Sequence, residues 1–212
     1  MTLLYLVRHG ETDWNKARKI QGSTDIPLND LGRRQAAAAA ELLSRRHFDR
    51  VVSSPLGRAV ETGSIIASRL GVAAPSISAG VVERNYGEAE GLTFDQIEAR
   101  FPDGVDVPGR ESREALRTRV EAALLEIAAA HEGESVVVAT HGAVIRTIVT
   151  HIAPEHEASI GVPIRNGSIH SFEVRGGALA LVAFDDPIEL ESEAAGRYAF
   201  DYQNALEGRA DA

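Results

Sequence analysis

The 212-residue sequence contains no cysteine, which excludes disulfide bonds, thiolate catalysis and zinc sites built on cysteine. Aromatic residues are also scarce, at 5% of the chain, but 44% of the residues are apolar, which is enough for a hydrophobic core. No apolar run approaches the roughly 18 residues that a membrane-spanning helix needs. These absences lead us to predict a folded, globular protein.

Positive charge is in deficit, because 22 lysines and arginines face 31 acidic residues and the net charge is −9. Such a balance disfavours nucleic acid or an anionic membrane as a partner, although a local cluster of cations can still bind a small anion. No basic residue precedes the short apolar run at the N-terminus, so this segment does not resemble a signal peptide. We expect a cytoplasmic protein with no nucleic-acid and no membrane partner.

Short apolar runs alternate with helical patterns along most of the chain. Residues 3–7, 51–54 and 135–140 are typical of buried strands, and a further strand is expected within 76–83. Helices are predicted over residues 31–47, 56–70, 94–101, 112–130 and 142–152. The helix at 31–47 is expected to begin at a cap formed by Asn29 or Asp30.

The last predicted strands, 168–174 and 178–184, are joined by a tight glycine turn. Together with the alternation before them, they predict an α/β fold, a three-layer α/β/α sandwich with a mostly parallel central sheet and an antiparallel edge strand. We assign residues 1–184 to a single domain and 185–212 to an acidic C-terminal tail or flap, since that segment holds eight acidic and two basic side chains. An apolar edge strand could pair two copies into a homodimer.

Polar residues follow three of the predicted strands at the point where each strand ends. Arg8 and His9 follow the first strand, Arg58 lies one helical turn beyond the second, and His141 follows the strand at 135–140. Because ligands of open α/β sheets bind beyond the carboxyl ends of the strands, we expect these four side chains around one pocket. Two guanidiniums and two imidazoles suit a dianion with several oxygens, which is a phosphoryl group.

A glycine follows each of the two histidines. Gly10 and Gly142 are expected to let the chain turn closely and to leave backbone N–H groups free for the anion. Arg8 and Arg58 should hold His9 neutral near pH 7, because a third positive charge is disfavoured there and only a neutral imidazole is a nucleophile. The same cations offset charge during phosphoryl transfer, so we expect no metal and no cofactor.

Four motifs, in this order, resemble the histidine phosphatase superfamily: LVRHGETDWN, SSPLGRAVET, ERNYGEAEGLT and VVVATHGAVIR. This superfamily includes cofactor-dependent phosphoglycerate mutases and many small phosphatases. The resemblance runs from about residue 3 to about residue 150. One such triplet recurs by chance, but four motifs in order at suitable strand ends are specific.

The resemblance implies a role for each of five residues. His9 would be the phosphorylated nucleophile, and Arg8, Arg58 and His141 would bind the phosphoryl group. Glu83 would protonate the leaving oxygen and later help to activate water. From the residues alone, Glu83 could equally be a solvated loop carboxylate.

Substrate contacts are expected at four further positions. Asn15 and Gln21 match family positions that contact phosphate or substrate, although Asn15 could instead cap a turn. Arg110 departs from the family pattern, because it stands in PGRES where many relatives look like PGGES. With Arg84 it is expected to add positive charge near the pocket mouth, which suits a substrate carrying a carboxylate or a second phosphate. The alternative is that both arginines are surface charges.

The separation of Glu83 and His141 bears on the reaction. Related mutases carry a longer insertion between these two positions, which closes over the substrate, whereas here they are only 58 positions apart. A more open site admits water, and water converts a phosphohistidine into free phosphate. We therefore predict a phosphatase that hydrolyses phosphomonoesters of a small metabolite through a phosphohistidine. A phosphoglycerate mutase-type isomerase and a non-catalytic binder of phosphorylated ligands are the alternatives.

Overall fold

A computed structural model describes residues 1–156, 162–186 and 188 of the chain. Within these residues the strands are β1 (Thr2–Arg8), β2 (Arg50–Ser53), β3 (Ser76–Ile77), β4 (Ser135–Thr140), β5 (Ile169–Arg175) and β6 (Ala178–Ala183). The α-helices are α1 (Asp13–Lys16), α2 (Asp30–Leu43), α3 (Gly57–Leu70), α4 (Phe94–Arg100), α5 (Arg113–Ala130) and α6 (Gly142–Ile152). Two short 3-10 turns lie at Ala79–Val81 and Gly87–Ala89.

The strands form one sheet in the order β3-β2-β4-β1-β5-β6. The first four in this order are mutually parallel, whereas β5 is antiparallel to β1 and β6 is antiparallel to β5. In the parallel register Arg8 pairs with Thr140, and Ser53 pairs with Ala139. The carboxyl ends of β1, β2 and β4 are therefore level at one edge, where the residues that follow them come together.

Side chains of the sheet alternate between two hydrophobic cores. Leu4 and Leu6 of β1 pack in a core with residues of α5 and α6. Tyr5 and Val7 point to the other face and pack with residues of α2 and α3. Because successive strand residues face opposite sides, both faces of the sheet are covered by helices. The predicted three-layer sandwich with a mostly parallel sheet is confirmed.

Local signals begin and end the helices that flank the site. The side chain of Asn29 accepts a hydrogen bond from Gly32 N–H at 2.9 Å, so Asn29 rather than Asp30 caps α2. Gly71 ends α3 in the left-handed region, with φ of 69°, as expected for a glycine after the last helical residue. The α2 helix ends at Leu43, four residues earlier than the sequence pattern predicts.

The strand expected within 76–83 is mostly absent, since only Ser76–Ile77 pairs with β2. The chain then turns because Gly80 packs directly on α5, where an added Cβ would lie 2.4 Å from the Cβ of Ala123. The hydroxyl of Thr140 donates to Val81 O at 2.8 Å, which holds the turned segment at the end of β4. The turn brings the next residues of the chain to the carboxyl edge of the sheet.

The predicted C-terminal tail or flap, 185–212, lies outside the described residues except for 185, 186 and 188. Its separation from a domain ending at 184 stays a prediction. In the part of the chain that the structure describes, no helix has the length and apolar character needed to cross a membrane.

Candidate active site

The ends of β1 and β4 bring two histidines into contact. His9 directly follows β1, and its backbone N–H continues the sheet ladder by donating to Thr140 O at 2.9 Å. His141 directly follows β4. The two ring centroids are 5.2 Å apart and the ring planes are inclined at 61°. Parallel pairing thus joins two residues that are more than a hundred positions apart in the sequence.

The ring of His9 has a defined proton position. Its Nδ1–H donates to Gly10 O at 2.7 Å, and since a carbonyl only accepts, the lone pair of the neutral ring lies on Nε2. Burial lowers the pKa of His9 well below its usual value, and the charges of Arg58 and Arg8 lower it further. The predicted direction of the pKa shift is right, but the largest single cause is burial, with Arg58 second and Arg8 third. His9 is therefore neutral at pH 7, as a nucleophile must be.

His141 occupies the N-cap position of α6 and is fully buried. Its Nε2 lies 2.7 Å from the hydroxyl oxygen of Ser54, which follows β2. Burial lowers the pKa of His141, and the charge of Arg58 lowers it further. When Ser54 donates to Nε2, the ring proton lies on Nδ1, a buried atom with no partner among the described residues.

Arg58 is completely buried in the first turn of α3. Its Nη1 donates to Thr24 O and its Nη2 to Gly22 O, both at 2.7 Å, and its buried Nε has no partner among the described residues. Burial lowers the pKa of Arg58, whereas the charges of Glu83 and Asp25 oppose this shift. Backbone carbonyls thus hold the two terminal nitrogens of the guanidinium, and its Nε–H is the donor that could bind a ligand.

The second arginine, Arg8, is 2% exposed, and its Nη1 donates to Ile164 O. Its charge contributes to the lowered pKa of both histidines, which places it in the same electrostatic environment as Arg58. The four side chains expected around one pocket are therefore together at the carboxyl edge of the sheet.

The glycine after His9 only partly meets the expectation. A Cβ at Gly10 would lie 2.1 Å from Gly32 O, so the close turn requires glycine. Its N–H, however, donates to the hydroxyl of Thr62 at 3.2 Å and not to a ligand, and the helix that follows β1 begins only at Asp13. Gly142 does begin α6, and its role in substrate binding stays a prediction.

Glu83 joins the cluster at the start of α6. It is 2% exposed, one carboxylate oxygen accepts from Arg84 N–H at 2.8 Å, and the other accepts from Ala143 N–H at 3.4 Å. Ala143 is the second residue of α6, so a carboxylate here is also favoured by the helix dipole. Glu83 is therefore next to His141, despite their separation along the chain.

The two polar residues expected near the phosphate differ in what they contact. Asn15 forms a capping box with Thr12 at the start of α1, which is the structural role weighed as its alternative. Gln21 is 1% exposed, and its Oε1 accepts from the Thr12 hydroxyl at 2.9 Å. The Nε2 of Gln21 is buried without a partner among the described residues, so its amide donors fit an anion.

Arg84 and Arg110 come together in one cavity, whose lining residues do not include the histidines. Both line a cavity of about 560 Å³ at the start of α5, together with Arg113, Asp106 and other residues. Arg84 is 6% exposed and its Nε donates to Glu111 O at 3.0 Å, whereas Arg110 is exposed. The surface-charge alternative therefore fails for Arg84, and contact of either arginine with substrate stays a prediction.

Three buried atoms near the histidines lack hydrogen-bond partners within the described residues: Arg58 Nε, Gln21 Nε2 and His141 Nδ1. Leaving such a group unsatisfied costs about 1–3 kcal/mol. Arg58 Nε and Gln21 Nε2 are donors that fit oxygens of a phosphoryl group, and so is His141 Nδ1 when Ser54 donates to Nε2 of that ring. Among the same residues, no group of three or more His, Cys, Asp or Glu side chains is placed to bind a metal ion.

Sequence reasoning missed two residues that support the histidines. Ser54 orients His141, because its hydroxyl oxygen lies 2.7 Å from Nε2 of the ring. The Nδ2 of Asn166 donates to His9 O at 2.9 Å and to Asn15 Oδ1 at 3.4 Å. Ser54 could have been predicted as a site residue because it directly follows β2. Asn166 lies in a loop before β5, and no sequence pattern indicated its contact with His9.

The family model described as the Histidine phosphatase superfamily (branch 1) matches residues 4–187, and the chain belongs to this superfamily. The uncharacterized phosphatase PhoE of Bacillus subtilis (strain 168) is 40% identical over 153 residues, which are 72% of this chain and 78% of that protein. A metal-independent phosphoserine phosphatase of Arabidopsis thaliana is 33% identical over 204 residues, 91% of this chain and 84% of that protein. Both the family resemblance and the fold expected from it are confirmed.

Solved structures agree with these relatives. The mycobacterial glucosyl-3-phosphoglycerate phosphatase in complex with VO3 matches with a TM-score of 0.76 and 28% identity, over 86% of this chain and 98% of that chain. Because relatives on both comparisons are named phosphatases, the phosphatase class is favoured over the mutase alternative, as predicted.

Proposed function

We propose that this chain is a phosphatase that hydrolyses phosphomonoesters of a small metabolite through a phosphohistidine on His9. The observation that carries the proposal is the neutral His9 ring, with its lone pair on Nε2, next to His141 and Arg58. No metal and no other cofactor enters the proposed steps, because the side chains at the sheet edge supply nucleophile, charge stabilisation and acid.

In the first step, Nε2 of His9 attacks phosphorus, and the P–O bond to the leaving group breaks as the P–N bond forms. The positive charge of Arg8 and Arg58 offsets the charge on the phosphoryl oxygens. The donors of Gln21 and His141 that lack partners bind the same oxygens. Glu83 carries a proton when the phosphoryl dianion is bound beside it, and it donates that proton to the departing oxygen, so that an alcohol leaves rather than an alkoxide.

In the second step, water attacks phosphorus and the P–N bond breaks. Glu83, now ionised, takes the proton of the attacking water. The products are inorganic phosphate and neutral His9, and Glu83 is again protonated. The same carboxyl group thus acts first as an acid and then as a base.

We also propose that Arg84 and Arg110 bind a second anionic group of the substrate, a carboxylate or a further phosphate. Three arginines and two acidic residues, Asp106 and Glu111, line one cavity at the start of a long helix, whose dipole adds positive potential. Phosphoserine and 3-phosphoglycerate are suitable probes because each has a carboxylate besides its phosphate. Asn15 remains a candidate contact to the substrate.

Rapid mixing with a labelled phosphomonoester tests the proposed intermediate. The quench is an alkaline denaturant, because a P–N bond is labile in acid. We expect label on His9 in the wild type and none in a folded His9→Ala variant. Label elsewhere would refute the mechanism, and formation of 2-phosphoglycerate instead of inorganic phosphate from 3-phosphoglycerate would favour the mutase alternative.

Two further assignments extend this proposal. We also propose a cytoplasmic location, and localisation of a tagged protein would test it. A homodimer would use an edge strand of the sheet, and in the described sheet β6 is such a strand, with Ala178, Ala180 and Val182 exposed on one face. Light scattering on the purified protein would measure the mass in solution.

A further inference from the structure

The two carboxylate oxygens of Glu90 accept five hydrogen bonds from three residues. Its Oε1 accepts from the backbone N–H and the hydroxyl of Ser23, at 2.9 and 3.0 Å, and from Tyr86 N–H at 3.2 Å. Its Oε2 accepts from the backbone N–H and the hydroxyl of Thr24, at 2.9 and 2.5 Å. One side chain thus fixes two consecutive residues of a loop that is distant in sequence.

The loop that Glu90 fixes is the one that holds Arg58. The carbonyl of Gly22, just before the fixed residues, and the carbonyl of Thr24 accept the two bonds from the guanidinium. The same loop supplies Asp25, whose Oδ2 accepts from Gly57 N–H at 2.8 Å, where the helix that carries Arg58 begins. The hydrogen bonds therefore run without a gap from Glu90 through the loop to Arg58.

The close approach of Glu90 depends on Gly22. This residue has φ of 58°, and a Cβ there would lie 2.0 Å from Oε1 of Glu90. Only glycine allows both this backbone conformation and a carboxylate at this distance. The contact between Glu90 and the loop therefore depends on Gly22 as well as on Glu90, and these two residues are 68 positions apart in the sequence.

We propose that Glu90 is a positioning residue, which acts through residues 22–25 to hold the guanidinium of Arg58 where it binds the phosphoryl group. Glu90 itself does not touch the phosphoryl group in this proposal. The proposal rests on the proposed function, since it concerns the same phosphoryl-binding arginine. It assigns a role to a carboxylate that neither the first step nor the second step uses.

The charge of Glu90 supports the geometry. Burial raises the pKa of Glu90, but hydrogen bonds from Thr24, Ser23 and Tyr86 outweigh burial, and the net effect is a lowered pKa. The carboxylate is therefore ionised at neutral pH, and its charge is among those that oppose the lowering of the Arg58 pKa by burial. A neutral side chain of the same shape would lose both the second accepting oxygen and this charge.

The matched pair Glu90→Gln and Glu88→Gln tests the proposal. Glu88 lies two residues away, is exposed and pairs with Arg100, so it controls for loss of a carboxylate in the same segment. We expect Glu90→Gln to raise the inhibition constant of inorganic phosphate and to lower kcat/KM for p-nitrophenyl phosphate, each by roughly 10- to 100-fold. Glu88→Gln should change both by less than about twofold.

A double variant separates positioning from general loosening. Arg58→Lys keeps a positive charge but cannot reproduce the paired bonds to the loop carbonyls. If Glu90 acts through Arg58, adding Glu90→Gln to Arg58→Lys should weaken phosphate inhibition by no more than about threefold further. If the two effects on phosphate inhibition multiply in full, the proposal is wrong.

Two other results bear on the proposal. Equal phosphate inhibition in Glu90→Gln and Glu88→Gln would overturn it. Should Glu90→Gln not fold, Ser23→Ala and Thr24→Val each remove one donor, and unchanged phosphate affinity in both would also overturn it. If the wild type hydrolyses no phosphomonoester, the proposed function is wrong. The positioning role of Glu90 can still be tested in that case, because calorimetry measures the affinity of the wild type and of Glu90→Gln for inorganic phosphate.

Discussion

Buried histidines occur in two regions of this protein, and the hydrogen bonds of their ring nitrogens differ between the two regions. At the carboxyl edge of the sheet, His9 uses one ring nitrogen in a hydrogen bond and His141 has a buried nitrogen without a partner among the described residues. In β5, His170 uses both: Ser168 Oγ lies 2.8 Å from Nε2, and Asp185 N–H donates to Nδ1 at 3.0 Å. All three rings are neutral because burial lowers their pKa.

The comparison shows that burial and neutrality do not make a histidine reactive. The histidines at the sheet edge differ from His170 in two ways. Their ring nitrogens are not all used in hydrogen bonds within the described residues, and the charges of two nearby arginines disfavour protonation of the rings. Each unsatisfied group costs stability, on the order of 1–3 kcal/mol, and a bound phosphoryl group would satisfy it. We therefore expect substitutions at the sheet edge to reduce activity and substitutions at His170 to reduce stability.

The strongest test of this contrast is His9→Ala. We expect kcat to fall by more than about 10⁴-fold, because the nucleophile is lost. The thermal midpoint should be unchanged or higher, since catalytic residues are kept for activity rather than for stability. Steady-state assays and thermal unfolding measure the two effects, and normal turnover in a folded variant would end the assignment of His9.

Glu83→Gln should have the next largest effect. We expect kcat for an alkyl phosphate to fall roughly 10²- to 10³-fold, because the leaving alkoxide needs a proton. The fall should be much smaller for p-nitrophenyl phosphate in the first step, since p-nitrophenolate leaves without one. Assays with both esters across pH distinguish the cases, and identical losses with an unchanged pH profile would remove Glu83 from the leaving-group step.

His170→Asn should act on stability and not on chemistry. Burial and the charge of Arg146 lower the pKa of His170 to about 3. Since the unfolded ring binds a proton near pH 6.5, the stability associated with neutral His170 is complete above that pH and is lost as the pH falls towards 3. Near pH 5 the wild type should have lost about 2 kcal/mol of unfolding free energy through this residue.

The His170→Asn variant should be less stable than the wild type near pH 7, because the hydrogen bonds of His170 with Ser168 and Asp185 are lost or altered. It should also lose less stability than the wild type between pH 7 and pH 5. Urea unfolding at both pH values measures this slope, and kcat near pH 7 serves as the control. A lower kcat for the fully folded variant would break the contrast between the two regions.

The smallest effect is expected from Arg110→Gln. Arg110 is exposed, so solvent screens its charge, and we expect KM for phosphoserine or 3-phosphoglycerate to rise only about threefold to tenfold. For p-nitrophenyl phosphate, which has no second anionic group, KM should not change. An equal rise for both kinds of substrate would place Arg110 outside any subsite for a second anion.

Local sequence patterns were sufficient for the class of fold and for four of the five catalytic candidates. Alternating apolar runs and helical patterns predict the layered sheet, and the ends of three strands carry Arg8, His9 and His141, with Arg58 one turn beyond. These signals are local, because strand period, helix capping and the residue after a strand depend on neighbours in the chain. Glu83, by contrast, depended on the family resemblance, since a turn rather than a strand delivers it to the site.

Only the tertiary structure decided how those candidates are held. It showed that Gly10 N–H is already used by Thr62, that burial is the largest single cause of the lowered pKa of His9, and that Arg84 and Arg110 line one cavity. It also revealed the bonds from Glu90 through the loop to Arg58. Hydrogen bonds between distant loops and the desolvation of a side chain depend on packing in three dimensions, which no local pattern of residues encodes.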